Sequence, residues 1–171
     1  MLSNILIAIS ITLMYSTPLA LAAMGGVISE RSGVVNIGIE GMMSIGALAG
    51  AAVGYFSGNP WLGLLFAGIA GGLMSLLHAV ASITFRADQT VSGIALNLIG
   101  PGLALYLSRH FFGGATLTLP VPKKLPKIFD SQHLQGTAFS NFNLDVTVIL
   151  AAVVVTLTWF LLYQTKWGLR I

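Results

Sequence analysis

The sequence predicts an all-α protein, a polytopic transmembrane helical bundle of about five spans with broken or kinked helices. Three observations carry this. The 171 residues are 56% hydrophobic and 8% charged, with a mean hydropathy of +0.89, whereas a soluble domain carries about 25% charged residues. Long apolar runs recur at the ~20-residue length that a bilayer core demands. Glycine and proline interrupt those runs at a few defined points.

The first span is read at about residues 4–28, with Pro18 inside it. Ala20-Leu21-Ala22 is a weak small-x-small cleavage pattern, but no Lys or Arg precedes Arg31 and the apolar run is long for a signal peptide. A retained span is therefore expected. The second span is read at about 33–56. The turn Ser57-Gly58-Asn59-Pro60 follows it, with Asn59 placed to cap and Pro60 at the first helical position of the third span, about 61–85. A short polar break, Arg86-Ala87-Asp88-Gln89, leads to the fourth span at about 90–112, where Asp88 reads as the N-cap. Gly100-Pro101-Gly102 falls inside that span. Proline removes a backbone donor and crowds the preceding turn, so a broken helix is expected there. The fifth span is read at about 145–163. Its Val153-Val154-Val155 run would suit a strand, but its length favours a membrane helix. Residues 113–144 carry three prolines and three lysines and read as an extramembrane loop. All of this is read as one domain, 1–171.

Small residues mark the packing faces. Gly46, Gly50 and Gly54 form a stripe on the second span, and Gly68 and Gly72, with Ala67 and Gly71, are expected to do the same on the third. Such spacing lets helices approach closely. Arg31, Arg86, Lys166 and Arg170 fall on one side of the membrane, and Arg109, Lys123, Lys124 and Lys127 on the other. Weighting residues near span ends in short loops favours the first set as cytoplasmic.

The stretch ERSGVVNIGIEG, residues 30–41, stands out. Residues 1–29 are uncharged, and from Gly33 to Phe85 the only formally charged side chain is Glu40. A carboxylate in hydrocarbon costs a few kcal/mol on insertion scales, so such a residue faces protein or water. Asn36 and Glu40 are four apart and would share a helical face. Either they line a polar path at a broken helix, or Glu40 caps exposed amides or pairs with Arg31. Gly38 and Gly41 let the backbone bend there. On the fourth span, Asn97 either lines a site at the break or bonds across helices. His78 reads as an interhelical hydrogen bonder. Zero cysteines, no HExxH, no P-loop and no GxSxG leave no metal site and no catalytic machinery in view. The scattered basic residues leave no nucleic-acid footprint. An ion-coupled secondary transporter or channel would carry internal repeats, and none is convincing. A non-conducting structural subunit is the other alternative.

Two motifs, SERSGVVNIGIEGMMSIGALAGA (29–51) and RADQTVSGIALNLIGPGL (86–103), resemble the permease subunit of bacterial ABC importers. The family is the branched-chain amino acid and simple-sugar permease superfamily. The resemblance is nearest to its nucleoside/simple-sugar branch, which works with a basic-membrane-protein-type lipoprotein. It implies a multi-pass protein of the bacterial cell membrane, forming part of a translocation pathway and not itself an enzyme. The implied partners are a second permease subunit, a cytoplasmic subunit that binds and hydrolyses ATP, and an extracytoplasmic solute-binding lipoprotein. No cofactor is implied for this chain. Asn36, Glu40 and Asn97 would then lie near the path. The closing QTKWGLRI resembles the approach to the ATPase-coupling loop, which nominates Thr165, Lys166, Gly168, Leu169 and Arg170. Members of that family are nearly twice as long. The chain is therefore expected to be an N-terminal part, inactive alone.

Overall fold

The computed structural model describes residues 2–127, 144–166 and 168. It is helical, with no strand among those residues beyond an isolated antiparallel bridge between Lys127 and Asp145. The helices are α1 (Leu2–Arg31), α2 (Ile39–Ser57), α3 (Pro60–Ala79), a π-helical turn (Val80–Thr84), α4 (Gln89–Phe111) and α5 (Val146–Gln164). Among the described residues five helices are long and apolar enough to cross a membrane, α3 counting together with its π-helical turn.

The chain divides into two compact units, where the sequence reads as one domain. The first unit comprises residues 1–28 and 125–171. It holds α1 as far as Ile28; the whole helix is 30 residues long, about 45 Å at 1.5 Å per residue. Its hydroxyls turn back onto their own helix: Thr12 donates to the Ala8 carbonyl and Thr17 to that of Leu13, each at 2.8 Å. An apolar environment favours this, since no side-chain donor is left unmatched. In α5, Thr156 does the same to Ala152. The helix ends where the Thr165 hydroxyl donates to the Leu161 carbonyl at 2.6 Å and accepts the Gly168 N–H at 3.4 Å. A Cβ on Gly168 would fall on the Leu161 and Leu162 carbonyls, so the turn after α5 needs glycine.

The second unit, residues 29–124, holds α2, α3, the π-helical turn and α4. Asn59 caps α3 by accepting the Trp61 N–H at 3.0 Å, with Pro60 at the first position. Asp88 caps α4 by accepting the Val91 N–H at 3.0 Å. Gly58, at φ +63°, ends α2 in the left-handed conformation. Both caps lie where the sequence puts them.

Packing of α2 on α3 runs through the Gly46-Gly50-Gly54 stripe. The matching face on α3 is Gly63-Ala67-Gly71, not Gly68 and Gly72. A Cβ on Gly63 would come within 2.7 Å of the Gly50 carbonyl, whereas one on Gly68 or Gly72 would meet nothing within 4 Å. One residue is 100° around a helix, enough to carry the 68/72 pair off the contact face. At the far end of α2, Phe56 stacks on Phe112 with centroids 5.7 Å apart, and Tyr55 meets Phe112 edge-on at 5.5 Å. The apolar core is Met42, Met74 and Leu96, one from each helix, with Ile45 packed against it.

Two expected features differ. The Gly100-Pro101-Gly102 break is absent, and α4 runs through Pro101 without interruption. Proline withholds one N–H from the Asn97 carbonyl, but a full break would strand several backbone groups with no water to take them. The interruption lies instead before α2. That helix begins at Ile39, and residues 34–37 are non-helical.

Candidate functional site

The non-helical stretch between α1 and α2 is the candidate site, and local chemistry opens it. Gly33 sits at φ +82°, which a side chain would strain. Its N–H donates to the Glu30 carbonyl and the Val34 N–H to that of Ser29, both at 3.1 Å, ending α1. The Ser29 hydroxyl donates to the Val34 carbonyl at 2.7 Å. Two residues on from Val34, the Asn36 carboxamide oxygen accepts the Gly38 N–H at 3.1 Å. This Asx-type turn competes with helix and delays α2 to Ile39. Asn36 therefore precedes the helix and Glu40 lies in its first turn, so the shared helical face expected for them does not form. Glu40 is exposed on the surface of the chain, at the helix end where a negative charge is favourable.

What keeps this segment ordered comes from α3 and α4. Gln89, the first residue of α4, accepts the Val35 N–H at 2.7 Å and donates to the Gly33 carbonyl at 3.4 Å. His78 of α3 is 2% exposed. Its Nε2 lies 3.2 Å from the Val35 carbonyl and its Nδ1 3.0 Å from the Ser92 hydroxyl. A carbonyl only accepts, so Nε2 carries the proton and Nδ1 is left to accept from Ser92. Asn97 uses both ends of its carboxamide. Nδ2 donates to the Ile37 carbonyl and Oδ1 accepts the Gly41 N–H, each at 2.8 Å.

These contacts form a ladder along one face of α4. Gln89 and Asn97 hold backbone groups directly and Ser92 does so through His78, with Gly93 and Gly100 between and beyond them. Gln89 to Asn97 is eight residues of helix, about 12 Å. Gln89 meets Gly33 and Val35, and Asn97 meets Ile37 and Gly41, so the segment runs alongside α4 over about two helical turns. Glycines make the approach possible. A Cβ on Gly93 would sit 3.0 Å from the Gly38 nitrogen, and one on Gly100 would sit 2.5 Å from the Gly41 Cα. Main chain lies against main chain at both crossings.

The ladder unites Asn36, Gly38, Gly41, Asn97 and Gly100, all singled out from sequence, and leaves Glu40 on its rim. Gly46, Gly50 and Gly54 belong to the α2–α3 contact. Pro101 lies on a different side, in the wall of a cleft described below, and a Cβ on Gly102 would meet nothing within 4 Å. Gln89 was hidden in a stretch that reads as a polar turn. Its signal is spacing: it stands three, four and eight residues before Ser92, Gly93 and Asn97. His78 is the interhelical hydrogen bonder expected of it. Thr165, Lys166 and Gly168 close α5 in the other unit, while Leu169 and Arg170 lie outside the described residues.

A non-helical segment braced inside a set of membrane-length helices is a feature of proteins that conduct solutes. Comparison with known proteins bears on which. The family described as "Branched-chain amino acid transport system / permease component" matches residues 8–171. The chain belongs to that family and is a multi-pass membrane protein. The guanosine ABC transporter permease protein NupQ of Bacillus subtilis is 46% identical over 175 residues, covering 96% of this chain and 54% of that one. The nucleoside ABC transporter permease protein NupC of Lactococcus lactis is 40% identical over 177 residues, covering 93% and 52%. A glucose ABC transporter permease protein, TsgB13 of Haloferax volcanii, is 25% identical over 172 residues, covering 93% and 45%. The chain thus spans about half the length of the curated relatives it matches. No solved structure matches it.

Proposed function

We propose that this chain forms part of the translocation pathway of an ATP-driven importer for a nucleoside or a simple sugar. The observation that carries the proposal is the non-helical segment at 34–37, whose backbone is held by side chains of α3 and α4 in place of helical bonds. Such a segment can present main-chain and side-chain polar groups to a solute without leaving them stranded in hydrocarbon. Asn36, Glu40 and Asn97 are the polar residues assigned to the path or to its support. The relatives, named as guanosine, nucleoside and glucose permeases, favour neutral solutes.

In this reading the chain performs no chemistry. A cytoplasmic ATP-binding subunit hydrolyses ATP. A second permease subunit supplies the facing wall of the path, and an extracytoplasmic lipoprotein delivers the solute. Thr165, Lys166, Gly168, Leu169 and Arg170 lead toward the ATPase contact. The test is uptake of labelled guanosine and glucose into vesicles bearing the assembled transporter that contains this chain. Uptake is expected to follow ATP and to ignore a collapsed ion gradient. Glu40→Gln or Asn97→Ala, or both, is expected to lower it substantially. Uptake that follows an ion gradient would overturn the importer reading, and full uptake in both variants would overturn the site assignment.

A further inference from the structure

A second feature of the 29–124 unit lies outside the ladder. A cleft of about 380 Å³ opens between α2, α4 and the segment that follows α4. Its α2 wall carries Ser44 and Leu48, its α4 wall Pro101, Leu105 and Ser108, and Thr116 and Thr118 close the third side. The third side exists because Gly113 and Gly114, at φ +61° and +90°, turn the chain back after α4. Val121 then packs against Gly54, and Phe112 against Tyr55 and Phe56, which fixes the returning segment on α2. The cleft is therefore an open groove with three supported walls, and Leu117 on its third side is exposed. Its volume lies in the range of small-molecule sites, about 300–1,000 Å³.

The lining selects the chemistry of an occupant. Every side chain in it is uncharged, and four carry hydroxyls. Two of those hydroxyls already spend their proton: Ser44 donates to the Glu40 carbonyl at 2.9 Å and Ser108 to the Ala115 carbonyl at 3.4 Å. Each is left with lone pairs, so each offers an acceptor. Acceptors match the O–H groups of a sugar or ribose. Thr116 and Thr118 can donate as well as accept, but a zwitterion would bring a carboxylate and an ammonium into a lining that holds no counter-charge for either, and both would lose hydration. The apolar walls from Leu48, Pro101 and Leu105 suit the faces of a base or a sugar ring.

We infer that this cleft is a solute site of the permease, selective for neutral hydroxyl-bearing solutes such as nucleosides and hexoses and closed to zwitterionic amino acids. The inference rests on the importer reading above and adds to it the location and the rule of discrimination. It also separates this chain from amino-acid carriers, although the family takes its description from them.

The absence of cysteine from the sequence makes the test direct. Ser44→Cys and Thr118→Cys place single thiols in the cleft, and Ser57→Cys places one at the exposed far end of α2. The assembled transporter that contains this chain, its other parts free of cysteine, is reconstituted in liposomes, and alkylation by a small maleimide is timed with guanosine, glucose or leucine present. For a solute at about four times its Kd, mass action slows labelling of a covered thiol about fivefold. Guanosine or glucose is expected to protect both cleft thiols in this way, with leucine inert and Ser57→Cys unaffected. The inference is overturned if neither neutral solute protects, if leucine protects equally, or if all three thiols respond alike. It is also overturned if only Ser57→Cys labels, which would mean that lipid or another chain fills the cleft. ATP-driven guanosine uptake by the assembled transporter is measured in parallel. Uptake without protection removes the cleft and leaves the importer reading standing; protection without ATP-driven uptake does the reverse.

Discussion

Replacing Asn97 by alanine isolates the ladder from everything else in the 29–124 unit. The substitution keeps α4 helical, since alanine is the best helix former, and removes both carboxamide bonds at once. Hydrogen bonds inside a membrane bundle average about 0.6 kcal/mol each, so two set a floor of about 1 kcal/mol. The larger part comes from what is left behind. The Ile37 carbonyl and the Gly41 N–H lose their only recorded partner, and a buried unsatisfied group costs about 1–3 kcal/mol. Asn97 is half-buried, so water relieves part of this, and the expected total is about 1–3 kcal/mol. Reversible unfolding of the purified chain in mixed detergent micelles measures the loss. Amide exchange at Gly41 is expected to quicken with it, because its N–H is released directly. A loss under about 0.5 kcal/mol, within the range of ordinary surface changes, together with unchanged exchange at Gly41, would refute the ladder.

Three further outcomes are expected in the same unfolding assay. Gly100→Ala pushes a methyl against the Gly41 main chain and Gly41→Ala drives one onto the Leu96 carbonyl. Each should cost about 1–3 kcal/mol, as overpacking does, while Gly102→Ala, with open space around it, should be neutral or slightly stabilising. His78→Phe fills the same space but strands the Val35 carbonyl and should cost about 1–3 kcal/mol; His78→Gln, which can still donate, should lose less. Gly58→Ala forces a side chain into the left-handed region and should cost about 1 kcal/mol.

Much of the fold was legible because the signals are local. An apolar run of bilayer length announces a span whatever surrounds it, and Asn59 and Asp88 cap their helices through neighbours two and three residues away. The features that sequence misplaced are those decided at a distance. Asn36 and Glu40 have helical spacing, but Gly33 and the Asx-type turn at Asn36–Gly38 keep the first of them out of the helix. The Gly100-Pro101-Gly102 triplet reads as a break, yet Gly100 is there to admit Gly41 and the helix continues. Gln89 was invisible as a site residue because its partners, Gly33 and Val35, lie more than fifty positions earlier in the chain.

The arrangement explains why a non-helical segment can persist beside α4 at all. Four to five residues without helical bonds would forfeit several kcal/mol in an apolar setting, and the local bonds at Val34 and Gly38 offset only part of that. The brace is assembled from ordinary parts: one glutamine, one histidine with its serine, and one asparagine used at both ends. Each bonds backbone rather than side chain, so the identities of Val35 and Ile37 do not enter into it. Those two side chains are left exposed on the surface of the chain. The ladder thus fixes the course of the main chain while leaving the outward-facing residues free to vary. In the proposed pathway that division would keep the scaffold constant while the surface offered to a solute or a facing subunit changes.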